Sequence, residues 1–378
     1  MTAAPDDLVA LRQRLHRQPE ISGQEAATAA LIAGVLTGAG VPQVLTGLGG
    51  HGVAGIVTGA APGPTVMIRA ELDALPIAET GQMPWRSEVA GKGHLCGHDG
   101  HMTILAGLAA RLMRQPPTRG RVVLLFQPAE EDGSGAAAVM ADPRFAAISP
   151  DHAFSLHNLP GLPLGVAVLE EGAANCASVG MRMRFLGRTS HAAEPDKALS
   201  PARALAALIP ALEALGPGGA LDADFRLVTL THMRMGVPAF GITPGDGELW
   251  ATLRCLTDDR MAALKQAAVT TARTAAEAAG LGLEITWHDD FAASRNDPEA
   301  TAHLRAALAA EGIARIPGEP MRASEDFGRF GAVARSAMFW FGAGEDHPPL
   351  HAPDYDFPDV LIEPGIRAFA RVIHDLLG

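Results

Sequence analysis

The chain has 378 residues, of which 48% are hydrophobic and 19% are charged, and its formal net charge is −12. This length and composition predict an ordered globular protein of two domains and exclude a disordered or fibrous one. The negative charge argues against nucleic acid and anionic membranes as partners. The chain also contains no run of ~20 apolar residues, which is the length that would predict a membrane span.

The first part of the chain alternates helices and strands. Apolar residues at helical spacing predict helices over 6–17 and 23–36, and a further helix over 101–113 that ends before Pro116 and Pro117. Short apolar runs predict buried strands over 52–57, 66–70, 122–126 and 153–156. This alternation predicts an α/β fold in which a mixed, mainly parallel sheet is flanked by helices.

From about Ala173 the pattern changes. The predicted elements are a strand (179–185), a helix (201–215), two strands (226–235, 248–255), a helix (258–279) and a strand (283–287). The order β-α-β-β-α-β is typical of a ferredoxin-like unit. Because a helix, a strand and a closing helix follow (298–311, 337–341, 365–377), this unit is predicted to be inserted into the larger one. The predicted domains are 1–172 and 290–378 for the larger unit and 173–289 for the insertion.

The stretch Cys96-Gly97-His98-Asp99-Gly100-His101 is the densest group of potential metal ligands in the chain. A thiol, imidazoles and a carboxylate suit zinc, manganese, cobalt or nickel. The alternative is a buried cysteine, a helix-capping aspartate and two surface histidines. The three cysteines, Cys96, Cys176 and Cys255, are too few for a disulfide framework, so a reducing, cytoplasmic setting is expected.

Further polar side chains follow the predicted strands, where open α/β sheets bind their ligands. Asp73, the pair Glu130-Glu131 and His157 each come just after a strand, and His351 lies in a late proline-containing loop. In the pair, one glutamate could ligate a metal while its neighbour takes a proton from metal-bound water. The alternatives are a solvated acidic turn for the glutamates and a core histidine for His157.

Together these residues supply five plausible ligands: Cys96, His98, Glu131, His157 and His351. A single structural zinc needs four. Five ligands with a glutamate left over indicate a two-metal hydrolytic site.

An ordered series of motifs runs almost end to end along the chain. The motifs are LRQRLHRQPEISGQE (11–25), RAELDALPIAE (69–79), GKGHLCGHDGHMTILAGLA (91–109), GRVVLLFQPAEEDGSGA (120–136), FSLHNLPGLPLG (154–165), GRTSHAAEP (187–195), SEDFGRF (324–330) and LHAPDYDFPD (350–359). On these motifs the sequence resembles the metal-dependent amidohydrolase branch of the aminoacylase and carboxypeptidase metallopeptidase family. That branch includes hippurate hydrolase, N-acyl-amino-acid amidohydrolases and the plant enzymes that release indole-acetic acid from amino-acid conjugates.

The resemblance implies roles for individual residues. It makes Cys96, His98, Glu131, His157 and His351 the ligands of two divalent metal ions and leaves Asp99 and His101 outside the ligand set. It makes Glu130 the general base that activates a metal-bridging water and then protonates the leaving nitrogen. Asp73 corresponds to the carboxylate that orients a metal ligand. His191 corresponds to a histidine of the inserted domain that stabilises the oxyanion, often from the other subunit.

For the whole protein, the resemblance implies hydrolysis of the amide bond of N-acyl amino acids or similar small conjugates. It also implies an inserted lid or dimerisation domain, and a homodimer formed through it. The metal stays open among Mn²⁺, Zn²⁺, Ni²⁺ and Co²⁺. The acyl group and the amino acid are not indicated by the sequence.

Several positions depart from the branch, and other functions stay open. Glu71 stands where the branch usually has aspartate, and Asp196, Ser200 and Gly241 replace usual residues of the inserted domain. The alternatives are a dipeptidase or carboxypeptidase of the same family and a catalytically inactive metal- or ligand-binding homologue. A further alternative is a thiol enzyme with Cys96 as nucleophile and His98 or His101 as base.

Overall fold

The computed structural model describes residues 5–378, with side chains described from Leu8 onward. The helices are α1 (Pro5–Arg17), α2 (Ala26–Gly38), α3 (His98–Arg114), α4 (Gly135–Ala141), α5 (Ala202–Glu213), α6 (Asp258–Ala278), α7 (Pro298–Ala310) and α8 (Ile362–Leu377). The strands are β1 (Gln43–Leu48), β2 (Gly52–Thr58), β3 (Ala61–Glu71), β4 (Arg119–Gln127), β5 (His152–Leu159), β6 (Ala167–Val168), β7 (Gly172–Asn175), β8 (Ala177–Leu186), β9 (Ser190–His191), β10 (Arg226–Met235), β11 (Ile242–Thr243), β12 (Asp246–Cys255), β13 (Gly282–Phe291), β14 (Ser294–Asn296), β15 (Arg315–Ile316) and β16 (Arg335–Gly342).

A mixed sheet forms the centre of the larger unit. Within residues 5–378 its strand order is β1-β2-β4-β3-β5-β16-β6-β15. The central neighbours β4, β3, β5 and β16 run parallel, whereas β1, β2 and β6 add antiparallel pairings. The sequence prediction of a mixed, mainly parallel sheet is therefore confirmed.

The sheet is buried because helices cover it. The runs Val66–Ala70 on β3 and Val122–Phe126 on β4 are buried at every position, as expected for parallel strands covered on both faces. Helix α3 packs against α1, α2 and α8, and α7 packs against α8 and β16. The apolar core formed by these elements holds the carboxyl ends of β3, β4 and β5 side by side.

Helix α3 begins earlier than its apolar pattern predicts. It starts at His98 rather than at residue 101, because Gly97 precedes it in a left-handed conformation with φ of 94°. Glycine adopts this conformation without the steric cost that a side chain brings. The early start places His98 and His101 one turn apart at the amino end of a buried helix.

The second unit is built around a separate four-stranded sheet with the order β10-β12-β8-β13, in which neighbouring strands are antiparallel. The chain passes through it as β8, α5, β10, β12, α6 and β13, the β-α-β-β-α-β order expected of a ferredoxin-like unit. On β8, alternate residues such as Met181, Met183 and Phe185 are buried, and they share a core with α5 and α6.

The chain divides into two compact units. The first comprises the chain through Ala174, Ser294–Glu319 and Asp326–Gly378, and the second comprises Asn175–Ala293 and Pro320–Glu325. The segment Pro320–Glu325 lies outside the predicted insertion, 173–289. It joins the second unit because the backbone N–H of Cys176 bonds to the carbonyls of Met321 and Ala323, at 3.1 and 3.2 Å. Among the described residues, no helix combines the length and hydropathy that crossing a membrane requires.

Candidate metal centre

Four of the predicted site residues lie at the ends of three neighbouring parallel strands. Asp73 comes two residues after β3, Glu130 and Glu131 follow β4, and His157 lies near the end of β5. Because β4, β3 and β5 are adjacent and parallel, their carboxyl ends lie at one edge of the sheet. Cys96 and His98 reach the same edge from the amino end of α3.

Gly97 allows this close approach. A Cβ atom at position 97 would overlap the side chain of Asn158, which follows His157 on β5. The glycine thus meets two demands at once: a left-handed backbone and direct contact between the start of α3 and the end of β5.

We expect Gly97→Ala to lower the free energy of unfolding by about 2 kcal/mol, since a left-handed alanine costs ~1–2 kcal/mol before any overlap. We also expect weaker metal binding, because Cys96 and His98 flank the strained residue. Denaturant unfolding and calorimetric metal titration measure the two effects. Gly34→Ala is the control, because a Cβ at this position in α2 meets nothing within 4 Å. Equal stability of Gly97→Ala and the control would contradict the steric argument.

The ligand atoms lie at the separations that a shared cation requires. Cys96 Sγ is 3.4 Å from His157 Nε2. Glu131 places one carboxylate oxygen 3.8 Å from His98 Nε2 and the other 3.6 Å from His351 Nε2. Two ligands bound at ~2.0–2.3 Å to one tetrahedral ion lie roughly 3.3–3.8 Å apart. The separations of 3.4 to 3.8 Å therefore fit ligand atoms that share a metal ion.

The histidine rings are held by their outer nitrogens. His98 Nδ1 is 2.8 Å from the carbonyl oxygen of Asp73, and His157 Nδ1 is 2.8 Å from the carbonyl oxygen of Asn158. Among the described residues, none offers a hydrogen-bond partner to the buried Nε2 of His98. A ring that donates through Nδ1 presents a lone pair on Nε2, which is the arrangement of metal-ligating histidines.

Two groups of ligand atoms share one cysteine. The side chains of Cys96, His98 and His157 place ligand atoms within 4.8 Å of one another, and so do those of Cys96, Glu131 and His351. Cys96 and His98 are buried, whereas the side chain of His351 is 49% exposed and sits on a backbone with φ of 67°. The five predicted ligands are thus brought together as two triads joined at Cys96.

The electrostatics of the site also suit a cation. Burial raises the pKa of the Cys96 thiol, and the negative charges of Glu131 and Glu130 raise it further, well above the ordinary value. Burial lowers the pKa of His98, but the hydrogen bond to Asp73 and the nearby carboxylates outweigh it and raise that pKa to about 10. Without a metal, the site therefore holds protons on groups that a divalent cation would deprotonate. A high thiol pKa is also the opposite of what a cysteine nucleophile needs.

Glu130 lies beside this group. Glu130 is buried, and one of its carboxylate oxygens lies within 4.8 Å of a ring nitrogen of His98 and of a carboxylate oxygen of Glu131. It follows Ala129, whose φ of 49° turns the chain sharply after β4. The turn points Glu130 to the sheet edge next to Glu131.

His101 is occupied by other contacts. Its Nδ1 is 2.6 Å from a carboxylate oxygen of Glu71, and its Nε2 is 2.6 Å from the side-chain oxygen of Asn158. Both nitrogens of His101 are therefore engaged in hydrogen bonds outside the five predicted ligands, and the bonds to Asn158 tie the ring to the end of β5. Glu71 also pairs with Arg69. The glutamate that replaces the usual aspartate thus joins His101 to Arg69.

His191 belongs to the second unit, on β9, which pairs with β11. Its side chain is exposed, and its Nδ1 accepts a hydrogen bond of 3.1 Å from the N–H of Ala193. Asp196 lies in the short turn Pro195–Lys197, and Gly241 precedes β11. The role of His191 in catalysis stays a prediction.

The model of peptidase family M20/M25/M40 matches residues 67–375. The chain belongs to this family. It is 30% identical over 356 residues to N-acetyl-L-cysteine deacetylase of Bacillus subtilis, covering 94% of this chain and 84% of that protein. It is 29% identical over 365 residues to hippurate hydrolase of Campylobacter jejuni, covering 96% and 94% of the two chains.

The fold of this M20-family chain also matches a solved relative. The crystal structure of the Bacillus subtilis YXEP protein, described as a dinuclear metal binding peptidase from the M20 family, aligns with a TM-score of 0.82. The two chains are 25% identical, and the match covers 99% of this chain and 98% of that one. Family membership and this neighbour support a hydrolase with two divalent metal ions.

Sequence reasoning on this M20-family chain missed the residues that hold the ligands in place. Ser22 donates to Asp73 Oδ2 at 2.7 Å, and the N–H of Glu131 donates to the same oxygen at 2.9 Å. Glu25 accepts the N–H of Ala129 at 2.8 Å. Ser22 and Glu25 lie in the first motif, LRQRLHRQPEISGQE, so their presence there was the only sequence signal for them.

Proposed function

We propose that the protein hydrolyses the amide bond of N-acyl amino acids or similar small amide conjugates. The observation that carries the proposal is the convergence of the five predicted ligand side chains with a further buried carboxylate, that of Glu130, at one edge of the sheet. The relatives named as a deacetylase and a hippurate hydrolase support this substrate class, since both names describe cleavage of an N-acyl amino acid.

The metal ions would be held by Cys96, His98 and His157 on one side and by Cys96, Glu131 and His351 on the other. Two divalent ions in such a site supply Lewis acidity and lower the pKa of water, so that a nucleophile forms near neutral pH. The thiolate favours Zn²⁺, Ni²⁺ or Co²⁺, and the carboxylate also suits Mn²⁺.

The protein's own groups perform the proton transfers. Glu130 accepts a proton from the attacking water and returns it to the leaving nitrogen. This role requires a carboxylate that lies beside the metal ligands and is not itself a ligand. Asp73 keeps His98 oriented: its carbonyl oxygen is 2.8 Å from Nδ1, and its carboxylate oxygen Oδ1 is 3.6 Å from the same atom. His191 stabilises the developing oxyanion.

Two further properties belong to this proposal. The second unit serves as a lid or dimerisation domain, through which two chains form a homodimer that brings His191 to the site. The protein works in a reducing, cytoplasmic setting, since Cys96, Cys176 and Cys255 are free and buried thiols.

The proposal predicts that chelation abolishes turnover and that one of Mn²⁺, Zn²⁺, Ni²⁺ or Co²⁺ restores it. The metal-free protein is reconstituted with each ion and assayed on N-acetyl and N-benzoyl amino acids, acylated diamino acids and dipeptides. We expect kcat/KM to be higher on acyl amino acids than on dipeptides. Higher values on dipeptides would make the protein a peptidase, and bound metal without turnover on any substrate would make it an inactive homologue. Activity that survives chelation would favour the thiol mechanism.

A further inference from the structure

Asp326 opens the short helical turn Asp326–Ala332 and belongs to the SEDFGRF motif. It is neither a predicted metal ligand nor a predicted acid or base. Its side chain is nevertheless fully buried in the first unit. A buried carboxylate is costly unless charge and hydrogen bonds compensate it, so its partners indicate what it does.

Two of the groups that donate to the Asp326 carboxylate lie at the two ends of the segment that carries Glu130. Oδ1 accepts from Arg69 Nη2 at 2.5 Å and from Gln127 Nε2 at 2.9 Å. Oδ2 accepts from Gln127 Nε2 at 2.8 Å and from the backbone N–H of Ala136 at 2.8 Å. Gln127 is the last residue of β4, and Ala136 lies in the first turn of α4. The carboxylate therefore ties together the two ends of the turn 127–136.

The backbone of Asp326 contacts the proposed base directly. Its N–H donates to Glu130 Oε1 across 3.4 Å. The turn is closed from within as well, because the N–H of Gly135 donates to the carbonyl of Ala129 at 2.9 Å. The side chain of Asp326 thus fixes the turn, and its main chain meets the carboxylate that the turn presents.

We propose that Asp326 is a positioning residue that holds Glu130 in the orientation for proton transfer, through its carboxylate on the turn 127–136 and its N–H on Glu130 Oε1. The inference rests on the proposed function, because it assumes that Glu130 is the base. A displacement of a catalytic group by about 1 Å lowers the rate about 100-fold. We therefore expect a large loss of kcat when the contacts of Asp326 with the turn are removed.

The test is Asp326→Asn, which keeps the shape and removes the charge. We expect kcat to fall about 10- to 100-fold. We expect KM and the calorimetric affinity and stoichiometry for Mn²⁺ or Zn²⁺ to stay within about threefold, since no ligand is altered. Hydrogen exchange of the backbone amides in 127–136 becomes faster in the metal-free variant. Asp375→Asn is the control, because it makes the same change at an exposed aspartate near the end of α8, and we expect wild-type kcat from it.

If Asp326→Asn does not fold, Gln127→Met carries the same test in a milder form, because it removes the amide donors and keeps the pair of Arg69 with Asp326. Unchanged kcat in the folded variant overturns the positioning role. So does a loss of kcat that the stoichiometry of bound metal fully explains, because the loss then reflects unfolded protein. Glu130→Gln tests the underlying assumption separately: if it is fully active, Glu130 is not the base and the positioning role fails with it, and if it is inactive beside a fully active Asp326→Asn, only the positioning role fails.

Discussion

Glu130→Gln is expected to lower kcat by about 10³-fold or more while the protein still binds its metal ions. General acid–base catalysis by one side chain raises the rate ~10²- to 10⁴-fold. Because Glu130 is proposed to serve both proton transfers, we expect the loss of kcat to lie in the upper part of this range. Glutamine keeps the volume and the hydrogen bond from the N–H of Asp326 but cannot accept the proton. Steady-state kinetics on the best acyl amino acid and calorimetric metal titration measure the two properties.

The matched control is Glu299→Gln, which alters an exposed glutamate at the start of α7. We expect wild-type kinetics from it. A Glu130→Gln enzyme with wild-type kcat would remove Glu130 from the mechanism. If Glu130→Gln instead loses its metal, Glu130 acts as a ligand, and the assignment of base and ligand within the pair Glu130-Glu131 is wrong.

A second large effect concerns stability and arises from a buried charged cluster between α1 and α3. His16 Nδ1 lies 2.8 Å from a carboxylate oxygen of Asp99, and its Nε2 lies 3.2 Å from Glu79. Arg12 contacts the same oxygen of Asp99 at 3.5 Å and also pairs with Asp356 and Asp359, at 2.5 and 2.8 Å. The cluster thus joins α1 to the residue that follows His98 and to the segment that follows His351.

Protonated His16 stabilises this cluster. Burial by itself lowers the pKa of His16, but the charge of Asp99 and the hydrogen bonds to Asp99 and Glu79 outweigh burial and raise the pKa from 6.5 to about 9. A group whose pKa is raised by folding contributes stability that is complete below its unfolded pKa and is lost as the pH rises through its folded pKa. The contribution of His16 is therefore full below about pH 6.5 and disappears by about pH 9. A shift of this size corresponds to about 3 kcal/mol.

We expect His16→Gln to lower the free energy of unfolding by about 3 kcal/mol at pH 6, a difference that shrinks toward zero by about pH 9. Urea unfolding of the metal-free protein at a series of pH values measures it. His374→Gln, at an exposed histidine near the end of α8, is the control and should follow the wild type throughout. If the His16→Gln and wild-type curves run parallel from pH 6 to 9, His16 does not carry this linkage.

Much of the candidate site was predictable because its chemistry is local. Cys96 and His98 stand two residues apart, Glu130 and Glu131 are adjacent, and each group follows a strand or starts a helix. The carboxyl ends of parallel neighbours meet at one edge, so strand order alone brings Asp73, Glu131 and His157 together. The long apolar runs, the β-α-β-β-α-β order and most helices also followed from periodicity. The short strands β6, β9, β11 and β15 did not, because two residues carry no periodic signal.

What the sequence could not provide were the long-range contacts that give each side chain its role. The two neighbouring histidines show this: His98 presents its Nε2 to the site, whereas Glu71 and Asn158 occupy both nitrogens of His101. Asp326 and Asp99 are likewise ordinary acidic residues in the sequence, and they become hubs only when Arg69, Gln127, Arg12 and His16 fold around them.

The sequence by itself determined the family, the layered α/β fold and the donor types of a two-metal site, because these depend on residue type, spacing and strand order. Only the tertiary structure decided which donors share a triad, that Cys96 belongs to both, and that α3 begins at His98 with Gly97 against Asn158. Those outcomes depend on how segments that are far apart in the chain pack against one another. No local pattern in a sequence records this packing.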